Sequence, residues 1–380
     1  MKYFIIAGEA SGDLHASNLM AALKRQDEQA DFCFLGGDLM QAQGGKMVRH
    51  YKEMAYMGFI PVILHARSIL KNMKDCKQAI KDYQPDILIL VDYPSFNLKM
   101  AEYTKKNVKK TSVFYYISPK LWAWKEYRLK SIKKYVDRVY SILPFEVDWY
   151  RERGYEVDYV GNPCVDAVRG YRQKYATRKD FLGNIGLEDK PIMALLAGSR
   201  MQEIDSSLPV MLETAAKYGD YQVVVAGAPS IEHSVYDCYL KGYNAKVVYG
   251  ETYELLIHSE LAIVTSGTAT LETALMRVPQ VVVYKMGGGK LVHKFFEKIL
   301  NVKYISLVNL ITNRKLVTEL VVEEVTVERV TEEVEKLRNA EYRNNVLQGY
   351  DELIKTLGEE PVSKKAARMM LQNYRSKIVL

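Results

Sequence analysis

The chain has 380 residues, which is too long for one ordinary core and predicts two domains of ordinary size. Its formal net charge of +7 suits phosphates or an anionic lipid surface, but it is too small to indicate nucleic-acid binding. The four cysteines are far apart, so neither a zinc site nor a disulfide framework is indicated, and a reducing cytoplasm fits best. No segment approaches the roughly 20 apolar residues of a membrane-spanning helix.

Short apolar runs alternate with helical patterns, which is typical of parallel βαβ units. In the first half, the predicted strands are Tyr3–Ala7, Phe32–Leu35, Ile87–Val91, Ser112–Ile117 and Arg138–Leu143. In the second half, they are Ile192–Leu196, Gln222–Ala226, Lys246–Tyr249, Ala262–Thr265, Gln280–Tyr284 and, as the last strand of the chain, Ile305–Val308. Helices are predicted between them, for example at Leu14–Gln26, Ile69–Tyr83 and Leu208–Tyr218. The sequence therefore predicts an α/β protein of two Rossmann-like domains.

The predicted domains are residues 1–168 and 169–354, joined through a glycine-containing, charged stretch at Gly161–Lys190. From Thr326 onward the pattern is helical and charged. A closing helix near Ala366–Ser376, within residues 355–380, is expected to pack back on the first domain.

The turn Gly198-Ser199-Arg200 follows a predicted strand of the second domain. Its small residues allow close approach of a ligand, and the Arg200 guanidinium offers a fork of donors that matches phosphate oxygens. Glu203 follows in the next helix. Although an arginine in a loop is usually only solvated, its position favours phosphate binding here.

A second turn, Ser266-Gly267-Thr268, also lies between a strand and a helix. Backbone N–H groups, hydroxyls and the positive helix end suit a diphosphate. Glu272 lies one helical turn further on, where its carboxylate could accept both ribose hydroxyls. The alternative is that Ser266 or Thr268 only caps the helix and that Glu272 is exposed.

The turn after the first strand reads Gly8-Glu9-Ala10-Ser11-Gly12-Asp13. It lacks the three-glycine dinucleotide fingerprint, which disfavours a nicotinamide oxidoreductase. A ligand site and a tight turn with Asp13 as a helix cap are both open.

Asp92 ends another buried strand, at the edge where open α/β sheets bind ligands. Trp122 and Trp124 follow the next strand and are flanked by lysines, which suits sugar stacking or an interface as well as packing under a loop.

The run Met57–Leu64 is apolar, is broken by glycine and proline and is followed by cations. It fits a segment that dips into lipid headgroups, or equally a buried strand.

Together these segments resemble the lipid A disaccharide synthases, a family of inverting glycosyltransferases with the GT-B fold. The matching segments run in order through nearly the whole chain: Gly8-Glu9-Ala10-Ser11-Gly12-Asp13, Met57-Gly58, Asp92 with Phe96-Asn97, Ser118-Pro119 with Trp122-Ala123-Trp124, Leu143-Pro144-Phe145-Glu146, Gly198-Ser199-Arg200, Ser266-Gly267-Thr268-Ala269 with Glu272, and Leu307-Val308-Asn309-Leu310. Ala10 stands where threonine is frequent in the family, and Ala197 where proline is frequent.

The resemblance implies two Rossmann-like domains with a cleft between them and the condensation of UDP-2,3-diacylglucosamine with 2,3-diacylglucosamine 1-phosphate. It also implies a cytoplasmic enzyme, peripheral to the inner membrane of a Gram-negative bacterium. No metal, cofactor or nucleic acid is expected, and a homodimer is a further expectation.

The predicted roles of the residues follow from their segments. The candidate general base is Asp92, followed by Glu9 and Asp13. The predicted donor site consists of Gly198, Ser199, Arg200, Glu203, Ser266, Gly267, Thr268, Glu272 and Asn309. The predicted acceptor and membrane contacts are Ser11, Gly12, Met57, Phe59, Ile60, Ile63, Trp122 and Trp124.

Two other classes of protein would share parts of this pattern. Another UDP-sugar enzyme of the same fold, such as a UDP-N-acetylglucosamine epimerase or a different glycosyltransferase, would share the diphosphate turns but would not need Met57–Leu64 or the tryptophan segment. A non-catalytic two-domain binding protein would release a UDP-sugar unchanged.

Overall fold

The computed structural model describes residues 1–54, 66–172, 175–285 and 303–379. The chain forms two compact units. Unit 1 comprises Met1–Pro163 and Glu359–Leu380, and unit 2 comprises Cys164–Gly358. Among the described residues, no helix has the length and the apolar composition needed to cross a bilayer.

Unit 1 is built on a parallel sheet, which has seven strands within the described residues, in the order β3-β2-β1-β4-β5-β6-β7. The strands are β1 (Lys2–Ala7), β2 (Asp31–Gly36), β3 (Lys46–His50), β4 (Ile87–Val91), β5 (Ser112–Tyr116), β6 (Arg138–Ser141) and β7 (Val157–Tyr159). The central strands are continuous apolar runs, because helices cover both faces of the sheet.

The helices of this part of the chain are α1 (Ala10–Lys24), α2 (Asp38–Ala42), α3 (Ala66–Tyr83), α4 (Pro94–Asn107), α5 (Leu129–Tyr135) and α6 (Phe145–Glu152). One face of the sheet packs against buried side chains of α3, α4, α5 and α6, and the other against α1. Short 3₁₀ turns occupy Tyr51–Glu53 and Glu126–Arg128.

Unit 2 repeats the architecture with a parallel sheet that has six strands within the described residues, in the order β10-β9-β8-β11-β12-β13. The strands are β8 (Ile192–Leu196), β9 (Gln222–Gly227), β10 (Ala245–Tyr249), β11 (Leu261–Thr265), β12 (Gln280–Tyr284) and β13 (Thr318–Val321). The helices are α7 (Pro163–Tyr171), α8 (Arg178–Ile185), α9 (Met201–Ala215), α10 (His233–Leu240), α11 (Thr252–His258), α12 (Thr268–Leu275), α13 (Leu307–Thr312), α14 (Val327–Arg338) and α15 (Ala340–Leu357), with a 3₁₀ turn at Val322–Glu324.

The last helix, α16 (Val362–Val379), returns to unit 1 and packs against α1. Its buried side chains join the same core as those of α1: Ala366, Ala367, Met370 and Leu371. Unit 1 is therefore discontinuous in the sequence.

The prediction of an α/β fold with two parallel sheets is confirmed. The prediction that Ile305–Val308 is the last strand is wrong, because α13 begins at Leu307 and β13 follows it. The Ser306 hydroxyl caps α13 by accepting a hydrogen bond from the Asn309 N–H, and such a cap favours a helix over a strand. The strands β3, β7 and β13 were not predicted. They are short edge strands whose charged or half-exposed residues hide the apolar pattern.

Both sheets reverse their strand order beside their first strand. In unit 1 the reversal lies between β1 and β4, and in unit 2 between β8 and β11. Helices leave such a pair of strands in opposite directions, which opens a crevice at the carboxyl ends of the strands. These two edges are the places where each unit is expected to bind a ligand.

Candidate active site

The switch point of unit 1 brings together the two segments that the sequence singled out for catalysis. Ala7 pairs with Val91 at the carboxyl ends of β1 and β4, so the turns that begin at Gly8 and Asp92 lie side by side. The predicted candidates Glu9 and Asp92 are therefore neighbours, although they are far apart in the sequence.

Asp92 is a partly buried carboxyl group with a second carboxyl group beside it. Burial, together with the negative charge of Glu9 and a hydrogen bond with Glu9, raises its pKa to about 6, against the opposing charge of Lys120. The Ser11 hydroxyl donates to Glu9 Oε1 at 2.8 Å, which orients this second carboxyl group. A carboxyl group that titrates near neutral pH suits general base catalysis.

Asp13 has a different environment, although it belongs to the same turn. Its buried carboxylate accepts hydrogen bonds from the backbone N–H groups of Gly37 at 2.8 Å, Leu39 at 3.0 Å and Met40 at 3.1 Å. Asp13 therefore caps α2 rather than its own helix. With both oxygens occupied, its geometry favours a structural role over that of a base. Gly12 is buried next to it in α1.

The tryptophan segment after β5 is tied to a buried carboxyl group. Trp122 donates from Nε1 to Glu146 Oε1 at 2.9 Å, and the Ser141 hydroxyl donates to the other oxygen of Glu146. Glu146 is only 2% exposed, and burial raises its pKa to about 7. Trp124 remains half-exposed, with the Lys125 ammonium 3.8 Å from its ring centroid.

Glu146 was not predicted to be a functional residue. It belongs to the segment Leu143-Pro144-Phe145-Glu146, which contributed to the resemblance. The available signal was a glutamate in the first turn of a helix directly after a strand, but the sequence does not show its burial or its partners.

In unit 2, the turn after β8 is shaped by Glu203. One oxygen of Glu203 accepts hydrogen bonds from the N–H groups of Ser199 at 2.9 Å and Arg200 at 3.2 Å, and the other accepts from the Arg200 guanidinium at 3.0 Å. Gly198 has φ +103°, and a Cβ there would lie 2.5 Å from Glu203 Oε2. The Arg200 side chain is 78% exposed, so most of its donors face solvent. Glu203 thus acts on the turn, and Arg200 is the group available to a ligand.

The turn after β11 leaves the start of α12 open. Gly267 is the N-cap residue, and no side chain of the described residues caps the helix. The Ser266 hydroxyl donates instead to the Ile305 carbonyl at 2.9 Å, while Gly267 and Thr268 are exposed. Free N–H groups at a positive helix end favour an anion. The alternative interpretation, in which Ser266 or Thr268 caps α12, is therefore wrong.

Glu272 lies further along α12, partly buried rather than exposed. The Tyr253 hydroxyl donates to its Oε1 atom at 2.5 Å. Burial raises the pKa of Glu272, and the bond from Tyr253 opposes this effect. No hydrogen bond from the described residues reaches the second carboxylate oxygen, which is therefore the one available to a ligand hydroxyl.

Asn309 is fully buried, and its side chain is saturated by the chain itself. Its Nδ2 group donates to the Val317 carbonyl at 2.8 Å and to Glu319 at 2.9 Å, and its Oδ1 atom accepts from the N–H groups of Leu316 at 2.8 Å and Val317 at 3.0 Å. This geometry favours a structural role over the predicted contact with the donor.

Four predicted acceptor or membrane residues, Met57, Phe59, Ile60 and Ile63, lie outside the described residues. Among the residues that are described, no three His, Cys, Asp or Glu side chains are arranged to hold a metal ion.

Comparison with known proteins identifies relatives over nearly the full length. The family model described as lipid-A-disaccharide synthetase matches residues 3–372. The lipid-A-disaccharide synthase of Myxococcus xanthus is 38% identical over 379 residues, which cover 98% of this chain and 97% of the relative.

Solved structures of lower identity share the fold. A UDP-GlcNAc 2-epimerase from Neisseria meningitidis, bound to UDP-GlcNAc, has a TM-score of 0.63 at 12% identity, covering 98% of this chain and all of that one. The calicheamicin glycosyltransferase CalG4 has a TM-score of 0.60 at 13% identity, covering 100% of this chain and 99% of its own. At such identities the likeness concerns the fold alone.

Proposed function

The chain belongs to the lipid-A-disaccharide synthetase family, and on that premise we propose that it joins two acylated sugars. The donor is UDP-2,3-diacylglucosamine and the acceptor is 2,3-diacylglucosamine 1-phosphate. The products are the tetra-acyl disaccharide 1-phosphate and UDP.

The observation that carries the mechanism is the Asp92–Glu9 carboxyl pair at the switch point of unit 1. An acceptor hydroxyl must lose its proton as it attacks, and the pKa of Asp92, about 6, makes its carboxylate available at neutral pH. In this proposal unit 1 binds the acceptor, and Trp124 and Ser11 are candidate contacts with it.

The transfer is a single displacement with an oxocarbenium-like transition state. The acceptor's 6-oxygen forms a bond to the anomeric carbon of the donor, its proton passes to Asp92, and the bond from that carbon to the UDP oxygen breaks. UDP leaves with the electron pair, so the anomeric centre is inverted.

In the same proposal unit 2 binds UDP. The Arg200 guanidinium and the free N–H groups at Gly267 and Thr268 stabilise the charge that gathers on the leaving diphosphate. Glu272 accepts a hydrogen bond from the ribose.

The test is to incubate the purified protein with both acylated substrates and to follow disaccharide and UDP by mass spectrometry. We expect stoichiometric formation of both products. Asp92→Asn should lower kcat by about 10²–10⁴-fold while the affinity for UDP is unchanged. A donor that is returned intact or as its epimer would refute the reaction, and near-wild-type turnover of Asp92→Asn would refute the base.

We further propose a cytoplasmic enzyme, homodimeric and peripheral to the inner membrane of a Gram-negative bacterium. The exposed side chains of Leu70, Lys71 and Lys74 on α3, which follow the segment Met57–Leu64 in the sequence, support a lipid-facing surface. Phe59→Ser with Ile60→Ser should reduce sedimentation with phosphatidylglycerol-containing vesicles, whereas Leu39→Ser, a change of an exposed leucine elsewhere in unit 1, should not. Equal sedimentation of the Phe59→Ser/Ile60→Ser variant and the Leu39→Ser variant would count against the proposed lipid-facing surface.

A further inference from the structure

The backbone at the end of β4 has an unusual conformation. Asp92 and Tyr93 have φ values of +43° and +48°, so two consecutive residues with side chains lie in the left-handed region. Such residues are disfavoured because their Cβ atoms approach the neighbouring carbonyl oxygen. Conformations of this kind persist only where surrounding contacts enforce them.

Two buried side chains make those contacts. The Asp92 carbonyl oxygen accepts hydrogen bonds from the Tyr115 hydroxyl at 2.5 Å and from Asn97 Nδ2 at 2.7 Å. Asn97 Nδ2 also donates to the Val91 carbonyl at 3.2 Å. Because its amino group lies between two carbonyl oxygens, the orientation of the Asn97 amide is determined by its partners.

Neither of the two side chains that bond the Asp92 carbonyl is exposed to solvent. Asn97 and Tyr115 are both 0% exposed, so water does not compete for the Asp92 carbonyl from their side. Asn97 belongs to α4, which directly follows the turn, and Tyr115 belongs to the neighbouring strand β5. The turn is therefore held from two different elements.

The next residue is held as well. A Cβ at Gly8 would lie 2.3 Å from Tyr93 Cγ, so the absence of a side chain at Gly8 makes room for the Tyr93 ring. The Tyr93 hydroxyl donates to the Met54 carbonyl at 3.1 Å.

We propose that Asn97 and Tyr115 are positioning residues for the glycosyl transfer: by clamping the Asp92 carbonyl they hold Asp92 in the left-handed conformation that points its carboxyl group toward Glu9. This inference rests on the proposed role of Asp92 as the base. In an extended strand the direction of a side chain is set by its place in the alternation, and a left-handed residue turns the side chain out of that register.

The test uses Tyr115→Phe, which removes one oxygen atom, and Asn97→Ala, which removes both donor hydrogens. We expect kcat to fall by about tenfold to a hundredfold for a misplaced catalytic group. The KM for the UDP-sugar should stay within about twofold, because donor binding is not changed. The matched control is Thr104→Val on the same helix, whose buried hydroxyl has no hydrogen-bond partner in the described structure and whose loss should leave kcat unchanged.

A double-mutant comparison separates positioning from general damage. If Tyr115 acts through Asp92, Tyr115→Phe should lower kcat in the wild type but cause no further loss in the Asp92→Asn background. Equal losses in both backgrounds, or no loss in the wild type, would overturn the inference. If Asn97→Ala does not fold, the comparison of Tyr115→Phe in the two backgrounds is sufficient to test the positioning role. A wild-type protein that makes no disaccharide would instead refute the proposed function, and full activity of Asp92→Asn would refute the base and the clamp together.

Discussion

At the scale of single residues, three carboxyl groups of unit 1 have different surroundings. Asp13 accepts three backbone N–H bonds and caps a helix. Asp92 faces Glu9, and burial with this second carboxyl group raises its pKa to about 6. Glu146 is buried against Trp122 and a serine hydroxyl, and burial raises its pKa to about 7. The same functional group thus serves as a cap, a candidate base and a buried anchor, depending on its neighbours.

We expect Glu9→Gln to change the pH dependence of the reaction. The base works deprotonated, so kcat should fall as the pH is lowered through the pKa of Asp92, about 6 in the wild type. The charge of Glu9 raises that pKa, so its removal should move the acidic limb of the profile to lower pH. The measurement is kcat against pH for both proteins.

The matched control is Glu28→Gln, a change of an exposed glutamate of unit 1 outside the switch point. Its profile should coincide with that of the wild type. An acidic limb that stays in place in Glu9→Gln would show that the two carboxyl groups are not coupled in the enzyme.

At the scale of elements, the turns after β8 and β11 present their groups in complementary ways. The first turn is stabilised by the Glu203 carboxylate and exposes a guanidinium, and the second leaves the start of α12 without a side-chain cap. Both follow adjacent strands of one sheet. A fixed cation and free N–H groups at one sheet edge suit a diphosphate.

Arg200→Ala is expected to weaken the binding of UDP. Loss of charge-assisted hydrogen bonds should raise the Kd by about tenfold to a hundredfold, and turnover should fall with it. Isothermal titration with UDP measures the first effect. Arg329→Ala is the control, because Arg329 is a half-exposed member of a surface ion pair on α14. An unchanged affinity of Arg200→Ala would remove Arg200 from the donor site.

The buried carboxyl group of Glu146 at the start of α6 should make the stability of the protein depend on pH. The pKa of Glu146 is raised from 4.5 to about 7, so the folded protein binds this proton more tightly than the unfolded chain. The resulting stabilisation is fully present below pH 4.5 and is lost as the pH rises through about 7. Between pH 5 and pH 8 the free energy of unfolding of the wild type should therefore fall by roughly 2–3 kcal/mol relative to that of Glu146→Gln, whose side chain does not titrate.

Urea unfolding of both proteins at the two pH values provides the measurement. Glutamine keeps an acceptor for the Trp122 N–H, so the comparison isolates the proton rather than the hydrogen bond. A constant difference between the two proteins across this range would mean that Glu146 has an ordinary pKa in the folded state.

At the scale of the whole molecule, unit 1 is completed by the last helix of the chain. The side chains of Ala366, Ala367, Met370 and Leu371 on α16 are at most 3% exposed and belong to the core beneath β1 and α1. Burial of large apolar side chains contributes about 1.5–3 kcal/mol each. Because whole domains are stable by only about 5–15 kcal/mol, this helix supplies a substantial part of the stability of unit 1.

A chain that ends at Gly358 should therefore lose the cooperative unfolding of unit 1. Hydrogen exchange should show weak protection of β1 and β4, while β8 and β11 of unit 2 stay protected. Gln372→Ala, an exposed position on α16, serves as the control for a harmless change of the same helix. Full protection of β1 in the truncated chain would contradict the role assigned to α16.

Most of the fold was predictable because the central strands are apolar on both faces. The runs Tyr3–Ala7, Ile87–Val91 and Ile192–Leu196 stand out against their polar turns, and turns of this kind mark the ligand edge of an α/β sheet. The edge strand β13 was missed because Glu319 interrupts its apolar pattern, and this carboxylate bonds the N–H groups of Ile305 and Ser306.

The sequence by itself determined the family, the two parallel sheets and the residue types at their switch points, since these depend on local patterns and ordered motifs. Only the tertiary structure decided which polar residues are already occupied and which are available. Asp13 and Asn309 lie in matching motifs, yet their bonds go to their own chain, whereas Asp92 is brought next to Glu9 by strand pairing. Such partners come from residues distant in sequence, so burial and hydrogen bonding are properties of the folded chain.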